Sequence, residues 1–290
     1  MVRALPPSRA VDLLHGVPFG QPAHPALVRL PIGCWTSAVL LDWLGGRGHG
    51  HGREAERASA TLIAAGVAAA LPAAASGLAD WSALHTHQQR VGLVHAIVQT
   101  GATLLFAGSL LARAAGRRGG GTALAAGGLA TATVGGYLGG YLAMRLGAGS
   151  SHAEPIGHLA AIGWQDLCPL AELPAERPAR RQLGYLSLLA VRSGQAVYVL
   201  SDQCSHLGGP LHQGRLVIDR DDACVVCPWH GSTFRLSDGS VRRGPATATQ
   251  PAFETRVSDS GLVQVRPLQA GAAAKAAGPR LPRPFRSAAG

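Results

Sequence analysis

The chain has 290 residues, enough for two domains of ordinary size, and is 47% hydrophobic but only 14% charged. Soluble domains carry roughly 25% charged residues, so this chain must bury a large apolar core or sit in a bilayer. Its formal net charge is +10, but no basic stripe with interleaved aromatics occurs, so no nucleic-acid partner is expected. The five cysteines lack regular spacing, which argues against a disulfide framework.

Residues 1–25 read as an N-terminal tail, without the apolar core of a cleavable signal peptide. Four apolar stretches follow, at about 26–44, 58–79, 91–112 and 122–144. Each is about 19 to 23 residues, the length that crosses a hydrocarbon core of about 30 Å as a helix. Only the first contains formal charges, Arg29 and Asp42, near its ends where long side chains can snorkel. The fourth carries Gly135, Gly136, Gly139 and Gly140, a smooth strip that lets helix backbones approach in lipid. The prediction is an all-α, four-helix transmembrane domain over 26–146. A soluble Ala-rich bundle is the alternative, and the absence of a polar face counts against it.

A Gly/Ser/Pro linker is expected over 147–158, and 159–268 reads as all-β. Ser193-Gly194 separates two short apolar runs as a hairpin signal, and further short strands at close spacing suggest a small antiparallel barrel or sandwich. Residues 269–290 are Ala/Pro/Gly/Arg-rich and are expected to be a disordered tail.

Two segments of the β region carry chemistry: Cys204-Ser-His206-Leu-Gly208-Gly209-Pro210 and Cys227-Pro-Trp229-His230-Gly231-Ser232. Each offers one thiol and one imidazole on a turn where Gly and Pro forbid a helix. Tetrahedral zinc also accepts two Cys and two His, although zinc fingers usually place their His pair on a helix. The segments resemble the Rieske family, whose pattern is Cys-x-His, an interval, then Cys-x-x-His. The resemblance implies a [2Fe–2S] cluster, with Cys204 and Cys227 on one iron and His206 and His230 on the other. Such centres span roughly −150 to +300 mV.

In high-potential members of cytochrome bc complexes, a Ser and a Tyr follow the second ligand pair and a disulfide bridges the two loops. Here Ser232 stands at the Ser position, Phe234 replaces the Tyr, and Gly209 and Trp229 occupy the disulfide positions. The resemblance therefore implies a potential in the lower half of the range, near oxygenase-associated ferredoxins. Gly244-Pro245-Ala246 resembles the loop that covers the cluster, so Pro245, like Ser232, is expected beside it. Cys34, Cys168 and Cys224 are read as small apolar side chains, and His212 as a surface-loop residue.

The N-terminal half resembles a family of four-span bacterial membrane proteins of undefined function. The matching features are His24-Pro25, Leu30-Pro31-Ile32, Gly77-Leu-Ala-Asp80-Trp81 and His95. Topology puts His24, Asp80 and His95 on one membrane face. They either cap and bond helices, or hold a haem b or other metal, or relay protons to a quinone. Orientation is contested. Arg47, Arg53, Arg57, Arg113, Arg117 and Arg118 lie in the far loops, against Arg3, Arg9, Arg90 and Arg145 on the near side, which favours cytoplasmic far loops. The missing bridge between the ligand loops suits a reducing compartment for the cluster instead.

The expectation is a membrane-anchored, one-electron carrier working between a redox partner protein or the quinone pool and an acceptor. The rivals are an electron-transfer subunit of a partner reductase or oxygenase, and a redox sensor. A self-contained oxygenase would need a large second iron domain, and only about 20 residues follow the cluster domain.

Overall fold

The computed structural model describes residues 5–6, 8–45, 52–160 and 162–268. It divides into a helical unit spanning Pro22–Ala148 and a second unit that joins Pro6–Gln21 to the chain from Gly149 onward. Arg3, Arg47 and the tail expected from 269 lie outside the described residues.

The N-terminal segment differs from the expected tail. Ser8 caps α1 (Arg9–His15) by accepting the Val11 N–H at 3.2 Å, and Gly16 ends it in the left-handed conformation. A 3₁₀ turn, Val17–Phe19, follows. At seven residues this capped helix is too short to show a helical period in the sequence, yet it belongs to the second unit.

In the helical unit, α2 (Ala23–Leu27) and α3 (Arg29–Gly45) occupy the first apolar stretch. The break between them, at Val28, follows from Pro31, which has no N–H to give to the Leu27 carbonyl. Then come α4 (Gly52–Ser82), α5 (Thr86–Ala114) and α6 (Arg118–Gly140), the last running into a π turn at Tyr141–Arg145. Among the described residues three segments are long and apolar enough to cross a membrane: Ala23–Gly45, Arg53–Ser82 and Thr86–Ala114. The fourth expected span, α6, is not among them, because glycine and threonine dilute its hydropathy.

Trp35 stacks on Phe106 with centroids 4.4 Å apart, in a core with Ile63, Ala102, Ala125 and Ala132. Glycines admit these rings: a Cβ on Gly66 would stand 2.4 Å from Trp35 Nε1, and one on Gly128 3.0 Å from Phe106. The α6 glycine strip divides in the same way. Gly135 and Gly139 lie against Gln99 and His95 of α5, while Gly136 and Gly140 have nothing within 4 Å of a built Cβ.

The expected linker also has structure. Ala153 and Ile156 are buried in the β core, the His152 N–H donates to the Ser205 carbonyl at 2.8 Å, and α7 spans Ile156–Leu159. The strands are β1 (Gln165–Pro169), β2 (Pro178–Leu183), β3 (Leu186–Ser193), β4 (Ala196–Ser201), β5 (Arg215–Asp219), β6 (Asp222–Val226), β7 (Thr233–Arg235), β8 (Val241–Arg243), β9 (Ala252–Val257) and β10 (Leu262–Pro267). They form an antiparallel six-stranded sheet, β1-β10-β9-β4-β3-β2, and a four-stranded one, β5-β6-β7-β8.

Strand β3 explains how one sheet serves two cores. Successive strand residues face opposite sides, so Leu188 and Ala190 enter a core with Val199, Phe253 and Val265. Leu189 and Val191 enter the other, with Cys204, Val225, Cys227 and Phe234. The second core carries the candidate site.

Candidate metal centre

Two loops carry the four expected ligands: one follows β4, the other joins β6 to β7. They repeat a single backbone pattern. The Cys204 N–H donates to the Gly209 carbonyl at 2.9 Å, and the Gly208 N–H returns to the Cys204 carbonyl at 2.8 Å. In the second loop the Cys227 N–H donates to Ser232 O at 2.8 Å, and the Gly231 N–H to Cys227 O at 3.1 Å. Gly208 and Gly231 are equivalent positions, both left-handed at φ 76° and 79°, where any side chain is strained.

Each turn also points two backbone N–H groups at its sulfur: those of His206 and Leu207 at Cys204, and those of Trp229 and His230 at Cys227. The two thiols are buried and hydrogen-bonded to each other. That bond is the main reason the Cys227 thiol comes down to about 7, with Trp229 and His230 assisting. It is also the main reason Cys204 is pushed well above the usual thiol range, with burial and the Cys227 charge adding.

The imidazoles of His206 and His230 form the other pair, with centroids 5.1 Å apart and perpendicular planes. Unlike the thiols, both are partly exposed. Among the described residues no three His, Cys, Asp or Glu side chains gather where they could hold one metal ion. Two pairs are what a binuclear cluster with two Cys on one iron and two His on the other requires. The residues present fit that group, since soft thiolates and borderline imidazoles both suit iron.

Gly209 and Trp229 meet where the high-potential proteins have a disulfide. A Cβ on Gly209 would lie 2.9 Å from Cys227 Sγ and 3.0 Å from Trp229 Cδ2. An indole packed over a bare backbone thus joins the two loops without a covalent bond. The fully buried Ser232 accepts the Ala246 N–H at 3.0 Å, which ties the second loop to the Gly244-Pro245-Ala246 segment.

Three supports were not legible in the motif. Gln250, 1% exposed, accepts the Ser205 N–H at 2.9 Å and donates to the Ser201 and Gln203 carbonyls at 2.9 and 2.6 Å. Asp202 accepts the backbone N–H of His212 at 2.7 Å and the Ser187 hydroxyl at 3.0 Å. His212 itself, expected as an ordinary surface-loop residue, is held at 2.8 Å from Asp202 and is only 23% exposed. The third support, Asp12, comes from the N-terminal segment. No spacing signal links any of these to the ligand loops. Cys168 and Cys224 are buried, and Cys34 is partly so.

In the helical unit His24 and His95 do come together, with ring centroids 6.5 Å apart. The Nδ1 atoms lie 2.8 Å from the Ala73 and Gly135 carbonyls, respectively. The rings sit in glycine notches, against Gly77 and Gly139. Asp80, on α4, does not complete a group of three metal-binding side chains with them among the described residues.

The family model for the Rieske [2Fe–2S] domain matches residues 163–254, and that for the DUF2231 predicted membrane proteins matches 20–152. The anthranilate 1,2-dioxygenase ferredoxin subunit of Burkholderia cepacia is 28% identical over 102 residues, covering 35% of this chain and 90% of that one. The 3-phenylpropionate/cinnamic acid dioxygenase ferredoxin subunit of Escherichia coli strain K12 is 34% identical over 95 residues, covering 33% and 86%. Among solved structures, the ferredoxin of carbazole 1,9a-dioxygenase from Nocardioides aromaticivorans is similar at 24% identity and a TM-score of 0.33, over 36% of this chain and 98% of that one.

Proposed function

Because the chain belongs to the Rieske [2Fe–2S] family and carries a DUF2231 membrane-protein domain ahead of the cluster domain, we propose that it is a multi-pass membrane protein that carries single electrons between a redox partner and an acceptor. Cys204, Cys227, His206 and His230 would hold the cluster, which supplies a one-electron redox couple when bound. The observation that carries this reading is the pairing of two buried thiols with two partly exposed imidazoles on loops of one backbone pattern.

This chain's residues have distinct tasks. Four backbone N–H groups aimed at the two ligand sulfurs stabilise negative charge there, which favours the reduced state. Ser232 and the segment around Pro245 exclude water from one side. The partly exposed His206 and His230 present the contact point for a partner and a place to take up a proton on reduction. The relatives named above serve dioxygenases as ferredoxin subunits, so an oxygenase or reductase is the favoured partner class, with the quinone pool as an alternative donor. Haem b forms no part of the proposal: the Nδ1 bonds of His24 and His95 to the Ala73 and Gly135 carbonyls tie α2 to α4 and α5 to α6, a helix-packing role that needs no metal.

Electron paramagnetic resonance on dithionite-reduced membranes tests the reading. A rhombic signal of low average g, lost in Cys204→Ser and in His230→Ala, is expected. A protein that stays colourless and iron-free after anaerobic reconstitution would overturn it.

A further inference from the structure

We propose that the helical unit binds the phosphate headgroup of an anionic phospholipid in an arginine-lined pocket formed by α4, α5 and α6; this rests on the reading above that the unit lies in a bilayer. The pocket has a volume of about 380 Å³, and its lining includes Arg53, Glu56, Arg57, Leu110, Arg113 and Arg118. A cavity of that size is within the range of small-ligand sites.

Its charge is only partly neutralised from within. Arg118 Nε stands 2.7 Å from Glu56. Arg113 is committed to Asp42, with Nη1 donating to Oδ1 at 3.1 Å and Nε to Ser109 Oγ at 3.2 Å. Arg53 and Arg57 have no carboxylate partner among the described residues. They sit near the start of α4, and Arg118 begins α6, so two helix N-termini add partial positive charge beside the guanidinium groups, against the one C-terminus of α5, whose last turn holds Arg113 and Ala114. Glu54, the acid in the first turn of α4, does not line the pocket.

Guanidinium forks match the geometry of phosphate oxygens. The apolar flank selects among phosphates. Leu110 lines the pocket, and the next residue on the same helix, Leu111, is 73% exposed. A lipid places its headgroup on the arginines and its chains past these leucines. A free anion has no use for the leucines.

The test uses the full chain extracted in detergent, with bound lipid counted by native mass spectrometry. Phosphatidylglycerol, phosphatidylcholine and inorganic phosphate are offered separately and in competition. At roughly fivefold per arginine, phosphatidylglycerol should be retained about 30-fold over phosphatidylcholine, a preference that the R53Q/R57Q variant loses. Each single variant should retain an intermediate preference, which guards against a folding defect in the double. Equal retention of the two lipids, displacement by inorganic phosphate at equal concentration, or an unchanged preference in R53Q/R57Q would overturn the proposal. Recovery of the chain without detergent in the soluble fraction would instead count against the membrane reading.

Discussion

Asp12 and Gly244 stand 232 residues apart, yet the Asp12 carboxylate accepts the Gly244 backbone N–H at 2.9 Å. Arg243 lies 3.9 Å from the same carboxylate, and Val17 and His15 pack so closely on Gly244 that a Cβ there would meet them at 3.0 and 3.2 Å. The segment preceding the first long apolar helix thus clasps the loop that Ser232 ties to the second ligand turn. Asp12→Ala should cost about 1.5–3 kcal/mol, the value of a hydrogen bond to a charged group. Denaturant unfolding followed by cluster absorption would show the loss, together with faster bleaching by an iron chelator. Asp12→Asn keeps an acceptor and should lose less. Equal stability of Asp12→Ala and the unaltered chain would refute the clasp.

Gly209→Ala tests the contact that stands in place of a disulfide. The new methyl would press on Cys227 Sγ and on the Trp229 ring, and overpacking of this kind costs about 1–3 kcal/mol. We expect reduced iron and labile sulfide per chain, with the strand content unchanged by circular dichroism. Full occupancy would mean the loops can spread without cost.

Ser232→Ala should lower the midpoint potential. The Ser232 oxygen accepts from Ala246, which leaves its own proton to donate towards the cluster, and donors to cluster sulfur raise the potential. Loss of a bond worth about 1 kcal/mol corresponds to roughly 40 mV for a one-electron couple. Redox titration at fixed pH measures it, and an unmoved potential would place the Ser232 proton elsewhere.

Cys224 supplies the pH dependence. Burial, followed by the nearby Asp219 charge, pushes its thiol from 9.0 up to about 11. The folded state therefore prefers the neutral thiol more than the unfolded chain does. This contribution to stability is complete below about 9 and is lost as the pH rises through about 11. Denaturant midpoints of Cys224→Ala should fall less over that interval than those of the unaltered chain. In the folded protein at neutral pH, Cys224 should resist iodoacetamide.

Asp42 and Arg113 form an ion pair whose side chains are only 5% and 6% exposed. Breaking one partner of such a pair leaves the other charge buried, at about 3–5 kcal/mol. Asp42→Asn should therefore lower the thermal midpoint of the helical unit more than the double replacement Asp42→Leu with Arg113→Met. The reverse order would show that the pair is solvated.

The sequence by itself determined the local chemistry. Cys-x-His and Cys-x-x-His on Gly-rich turns are readable because a turn's geometry is set by residues within a few positions, and apolar length is readable because it is a count along the chain. The break in the first apolar stretch near Pro31 is local in the same sense. Tertiary structure alone decided which distant groups support those turns. Gln250 reaches Ser205 across 45 residues and Asp12 reaches Gly244 across 232, and neither shares a periodicity or motif with its partner. The same holds for segments 8–20 and 147–158, read as tail and linker from composition. Their few apolar groups, such as Ala153 and Ile156, gain a core only once the sheets have formed around them. Hydrogen bonds and burial act through space, and their sequence traces vanish wherever the chain returns from far away.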